Sequence, residues 1–285
     1  MDNLIFLKLG GSLITDKERP RTPRVEVLDS LCRQIAEVRV YDPNLLLLLG
    51  HGSGSFGHVA AKEYATRAGI PPLAPPSGGS TDSLSPRSKD FSLYWRGFTE
   101  VWHEANELNK IVMDALRGAK IPAIAFSPLS SVVAKDGEIS EWNLSPIMQA
   151  LANGIVPVVY GDVVIDEVRG GTILSTEDLF MHLARKLHPQ RVLLAGVEDA
   201  IYADFPARKQ RVTRVSPVSY QKIRASIGKS HATDVTGGMS SKVEQMLALV
   251  EFLPALSVQI FSGGEEGNLK DVLLGKIIGT LIEMD

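Results

Sequence analysis

Short, nearly unbroken apolar runs alternate with longer amphipathic stretches along this chain, and that rhythm limits its fold more than any other feature. The runs lie at residues 4–9, 45–49, 121–126, 155–160, 192–195 and 258–261. They have strand length rather than helix length. Between them, helical periodicity marks residues 25–40, 57–68, 91–117, 145–152, 177–187 and 238–252. Strands that are apolar on both faces need cover on both faces. Strands joined through helices pair in parallel. The expectation is an α/β fold, a three-layer αβα sandwich around a mostly parallel sheet. No interdomain linker interrupts it, so residues 1–285 read as a single domain. Residues 163–165 and 172–174 add a predicted β-hairpin with its turn near Gly170-Gly171.

Composition excludes several function classes. A net charge of −3 argues against a general nucleic-acid binder. Cys32 is the one cysteine, so no internal disulfide can form and a reducing compartment is expected. It falls in the amphipathic pattern of residues 25–40 and reads as core. No apolar run approaches the about 20 residues of a membrane span, and the N-terminal residues lack a signal-peptide pattern. A cytoplasmic protein with no membrane partner is expected. Residues 71–86 are rich in Pro, Gly and Ser and read as a surface loop, an inert insertion in preference to a lid.

Three glycine-rich loops carry the chemistry. Lys8-Leu9-Gly10-Gly11-Ser12 ends the first strand, and Lys17 follows it. Glycines let backbone amides approach an anion closely. The second loop, Gly50 to His58, contains a literal GxGxxG at Gly52, Gly54 and Gly57. Dinucleotide binding is disfavoured, because no strand ending in an acidic residue follows at the required distance. What survives is the anion-binding order of strand, glycine loop and helix start. His58 opens that helix within reach of a bound phosphate. A protonated histidine there opposes the helix dipole, so a bound dianion must compensate. His51 reads as a structural loop residue. The third loop runs from Asp234 to Lys242 and enters a helix at Gly238. No GxxxxGK[ST] P-loop occurs. Three such turns and three lysines suit a polyphosphate, and phosphoryl transfer needs mainly positioning and positive charge.

KLGGSLITDK, GHGSGSFGH, GDVVID and DVTGGMSSK, in that order, resemble the amino acid kinase superfamily, and within it the isopentenyl phosphate kinases. The likeness runs from Lys8 to about Gly279. It implies an acceptor-binding N-terminal part and a nucleotide-binding C-terminal part. By resemblance, Lys8, Gly10, Gly11 and Ser12 contact ATP phosphates, and Lys17 stabilises transition-state charge. Gly54, Gly238 and Lys242 serve the nucleotide. Ser53 and His58 serve the acceptor phosphate, with Gly161 at its border. The implied reaction is ATP plus isopentenyl phosphate giving ADP and isopentenyl diphosphate, with Mg²⁺ bridging phosphates, in isoprenoid precursor synthesis through the mevalonate pathway. A homodimer is implied as well. The alternatives are a related kinase for a phosphonate antibiotic, a nucleoside monophosphate or a carboxylate, or a non-catalytic nucleotide sensor.

Two positions depart from the family pattern. Gly52-Ser53-Gly54 stands where three glycines are usual. Gly196 stands for an aspartate and Asp199 for a glycine, which leaves the base-side contacts of the nucleotide unassigned. For an apolar acceptor, the helix offers Phe91, Tyr94, Trp95, Phe98, Val101 and Trp102; of these Phe91, Tyr94/Trp95, Phe98 and Trp102 recur at helical spacing and share a face, as they also would in ordinary core packing. Asp166 fits a hairpin turn and Asp178 a helix start. Asp162, after Gly161, is the better metal candidate of the three, yet no residue is assigned to a metal.

Overall fold

A computed structural model describes residues 3–70, 89–204, 206–224 and 238–285. The chain begins with β1 (Leu4–Leu9), α1 (Gly11–Ile14), α2 (Val25–Tyr41), β2 (Leu46–His51), α3 (His58–Glu63) and α4 (Lys89–Gly118). It continues with β3 (Ala123–Ala125), α5 (Pro128–Ser131), β4 (Val132–Lys135), β5 (Glu138–Trp142), α6 (Ser145–Ala152), β6 (Val156–Tyr160), β7 (Asp162–Asp166) and β8 (Gly170–Leu174). Then come α7 (Thr176–Leu187), β9 (Arg191–Gly196), β10 (Ile201–Tyr202), β11 (Arg211–Val212), β12 (Arg214–Val215) and α8 (Pro217–Ile223). The last elements are α9 (Gly238–Phe252), β13 (Ser257–Ser262), α10 (Asn268–Leu273) and β14 (Thr280–Ile282).

Eight strands form the main sheet in the order β12-β14-β13-β9-β1-β2-β6-β3. Within it β13 and β14 pair antiparallel, and the other neighbours pair parallel. The expected αβα layering is present. Alternation along β1 sends Ile5, Leu7 and Leu9 to a core shared with α2, the C-terminal half of α4 and α10. Leu4 and Phe6 face the opposite core, built with α6, α7 and α9. Lys8 has the same parity as Leu4 and Phe6, so the period of two aims it at α7.

β1 lies between β2 and β9, and the chain winds outward in both directions from there. The crevice at the carboxyl ends of these strands is where such sheets bind ligands. A second sheet, β5-β4-β7-β8, holds the predicted hairpin. Its turn lies at residues 167–169 rather than at Gly170-Gly171, which begin β8. Asp166 explains the shift. Its carboxylate accepts from the amides of Val168 and Arg169 within the turn, and from Asp136 and Gly137 across it. Burial works to raise that carboxyl, but the four amides hold it below its ordinary value.

Candidate active site

β1 and β2 pair with Lys8 beside Gly50 and Leu9 beside His51, so the first two glycine loops leave the sheet side by side. They touch through backbone. A Cβ at Gly11 would lie 2.3 Å from the Gly54 amide nitrogen, so only glycine fits. Thr15 locks the pair: its hydroxyl donates to the Gly11 carbonyl at 2.7 Å and accepts from the Ser55 amide at 2.8 Å. Gly10 N donates to Ala195 O at 2.8 Å, tying the first loop to β9.

A cavity of about 720 Å³ opens at this junction. Lys8, Gly10, Gly11, Ser12, Lys17, Ser53, Gly54, His58, Gly161 and Lys242 all line it. Gly238 is the first residue of α9, one turn before Lys242. Residues 234–237 of the third loop and the 71–86 stretch lie outside the described residues. The segment that departs from the family pattern does reach the cavity, through Gly196, Val197, Glu198, Ala200 and Tyr202. Asp199 instead accepts from the Tyr202 hydroxyl at 2.8 Å.

Sequence reading gave no site role to Glu177, which lines the cavity. It sits in the first turn of α7, buried, ion-paired with Lys8, and 3.8 Å from Lys242. Burial alone would raise its carboxyl; the two ammonium groups hold it down to about 2. One carboxylate thus holds a lysine from β1 and a lysine from α9 together in the cavity lining. In sequence, Glu177 lies inside a capping box, with the Ser175 hydroxyl accepting from Asp178 N and the Asp178 carboxylate accepting from Ser175 N. A glutamate in a first helical turn is explained by the helix dipole alone, so no further signal marked it.

In the second loop, Ser53 Oγ lies 3.2 Å from His58 Nδ1. His51 lies beneath the loop, 1% exposed, stacked on Tyr160 with 5.3 Å between ring centroids. Its ring contacts Gly52 O at 3.2 Å and Asn109 Oδ1 at 3.3 Å, and burial pushes it down to about 4, which keeps it neutral. Asp162 is buried away from the cavity lining. Its Oδ1 accepts from the Val163 amide and desolvation raises its carboxyl well above the ordinary range. Among the described residues, no group of three His, Cys, Asp or Glu is placed to hold a metal ion.

The α4 aromatics divide. Tyr94, Phe98 and Val101 pack as core against Ala60, Ala61 and Val163, while Trp102 is 40% exposed. The apolar lining near Gly161 comes instead from Ile173 and Leu174 of β8. The Phe91 side chain lies outside the described residues.

Two glycine loops at the carboxyl ends of central parallel strands, flanked by paired lysines, define a phosphate-handling α/β enzyme. The profile of the amino acid kinase family matches residues 3–261, and the chain belongs to that family. Full-length relatives within the family include isopentenyl phosphate kinases. That of Methanothermobacter thermautotrophicus is 34% identical over 98% of both chains. That of Methanocaldococcus jannaschii is 30% identical over 98% of both. A solved isopentenyl phosphate kinase structure superposes with a TM-score of 0.79 at 29% identity, covering 98% of this chain and 99% of that one.

Proposed function

We propose that this chain transfers the γ-phosphoryl group of ATP to isopentenyl phosphate, giving isopentenyl diphosphate and ADP. The observation that carries the reading is the meeting of two glycine loops in one cavity lined by a glutamate-organised lysine pair and a serine–histidine pair. The lysine pair suits a polyphosphate and the serine–histidine pair a second phosphate, as transfer between two phosphates requires. In-line positioning and charge neutralisation then supply most of the catalysis.

In this reading Lys8, Gly10, Gly11 and Ser12 hold the ATP phosphates. Gly54, Gly238 and Lys242 complete the nucleotide side. Lys17, exposed on the loop after α1, neutralises charge on the group in transit. Ser53 and His58 serve the acceptor phosphate, His58 in direct contact with it and Ser53 beside His58, with Gly161 at its edge and Ile173 and Leu174 against the hydrocarbon. Mg²⁺ is taken to arrive with ATP, held by phosphate oxygens and water, since the buried carboxylate of the cavity, Glu177, is engaged by two lysines. A single domain with acceptor and nucleotide halves, a cytoplasmic homodimer and a place in the mevalonate pathway are proposed on family likeness. Among the described residues no helix is long and apolar enough to cross a membrane.

An acceptor panel tests the reading. With ATP and Mg²⁺, kcat/KM for isopentenyl phosphate should exceed that for UMP, acetylglutamate or fosfomycin by orders of magnitude. Comparable turnover of any of these would sink the substrate assignment. Nucleotide binding with no acceptor phosphorylated would leave a sensor.

A further inference from the structure

Ser53 stands where the family pattern has glycine, and the structure shows why a side chain is tolerated there alone. Its neighbours cannot carry one. A Cβ at Gly52 would lie 2.8 Å from the Gly11 amide nitrogen, and one at Gly54 would lie 2.0 Å from Thr15 Oγ1 at a φ of +56°. Ser53 lies between them, half-buried, and its hydroxyl meets His58 Nδ1 at 3.2 Å. The backbone joining the two is pinned. Phe56 N donates to Ser53 O at 2.9 Å, and Gly57 N donates to the Glu104 carboxylate from α4. The contact therefore belongs to a fixed loop rather than to two wandering side chains.

We propose that the Ser53 hydroxyl donates to His58 Nδ1, fixing the imidazole as its Nε2–H tautomer and making Ser53 a positioning residue for acceptor binding. This rests on the assignment of His58 to the acceptor phosphate. A ring nitrogen that accepts a hydrogen bond carries no proton, so the proton of the neutral ring resides on Nε2. Any contact of His58 with a phosphate oxygen then runs through an N–H donor. The reverse arrangement, with Nδ1–H donating to Ser53 Oγ, would in a neutral ring set the Nε2 lone pair against an anion. With glycine at position 53 this contact to Nδ1 is lost.

A double-mutant cycle tests the inference. Ser53→Ala should raise KM for isopentenyl phosphate about 2- to 10-fold, the range for one lost hydrogen bond, with KM for ATP unchanged. In the His58→Ala background the same substitution should change nothing further. An equal effect with and without His58 overturns the proposal, because Ser53 would then contact the phosphate directly. Nitrogen–proton correlation NMR of the ligand-free protein supplies an independent readout. The His58 ring should be the Nε2–H form in the wild type and a mixture of tautomers in Ser53→Ala and Ser53→Gly. An unchanged ring in both variants also overturns it. Because the spectra need no acceptor, a tautomer shift beside a failed acceptor panel would sink the substrate reading and leave the Ser53–His58 contact standing.

Discussion

Glu177 shows how much one side chain can organise. Two lysines facing one anion site repel each other, and a carboxylate between them offsets that repulsion without filling the space a phosphate needs. Replacing it by glutamine should cost about 2–3 kcal/mol of transition-state binding, the lower part of the range for truncating a buried charge pair, or about 30- to 150-fold in kcat/KM. Steady-state kinetics checks this, and wild-type rates in Glu177→Gln would make the residue a spectator. The same carboxylate predicts a pH signature. Its value is depressed from 4.5 to about 2 in the folded chain. Its contribution to stability is therefore fully present above pH 4.5 and lost as pH falls from there through 2. The stability gap between wild type and Glu177→Gln, followed by denaturant unfolding, should be flat at neutral pH and close in acid.

Among the elements, the hairpin of β7 and β8 shows what local sequence conveys and what it omits. Its two strands were legible from their apolar runs, and Asp166 was legible as a turn residue. The turn itself lies before Gly170, because Asp166 gathers four amides, two of them from the β4–β5 connection that pairs alongside. That second hairpin left little trace in sequence. The strand Glu138–Trp142 is half polar and open to solvent, so it shows no continuous apolar run. Asp166→Ala should strand those amides and destabilise the chain by about 2–4 kcal/mol, read as a lower urea midpoint at unchanged m-value. A midpoint equal to wild type would show that water replaces the carboxylate. On α4, helical spacing placed Tyr94 and Phe98 on one buried face correctly, but Trp102, expected on the same face, is 40% exposed. Whether that face met a ligand or the core was a matter of packing, and packing buried it against α3 and β7.

For the molecule as a whole, the site depends on elements far apart in sequence: β1, the β2 loop, the start of α7 and α9. A ligand spanning them binds only the folded chain, so its binding is linked to global stability. ATP at 100 times its Kd should stabilise the fold by about 2.7 kcal/mol, seen as a rise in Tm. No shift in Tm under saturating MgATP would contradict nucleotide binding at this cavity.

By itself the sequence determined the αβα architecture, because period and run length are properties of a strand or helix before it meets any neighbour. It determined the glycine loops for the same reason: the backbone freedom they supply is local. The pairing of Lys8 and Lys242 through Glu177 was decided only by the tertiary structure. So was the lock of Thr15 across two loops, and the contact of Ser53 with His58 on a pinned backbone. Each depends on distance and orientation between side chains, and on the exclusion of water around them. Residue type and spacing along a chain do not encode those quantities until the sheet has brought its strand ends together.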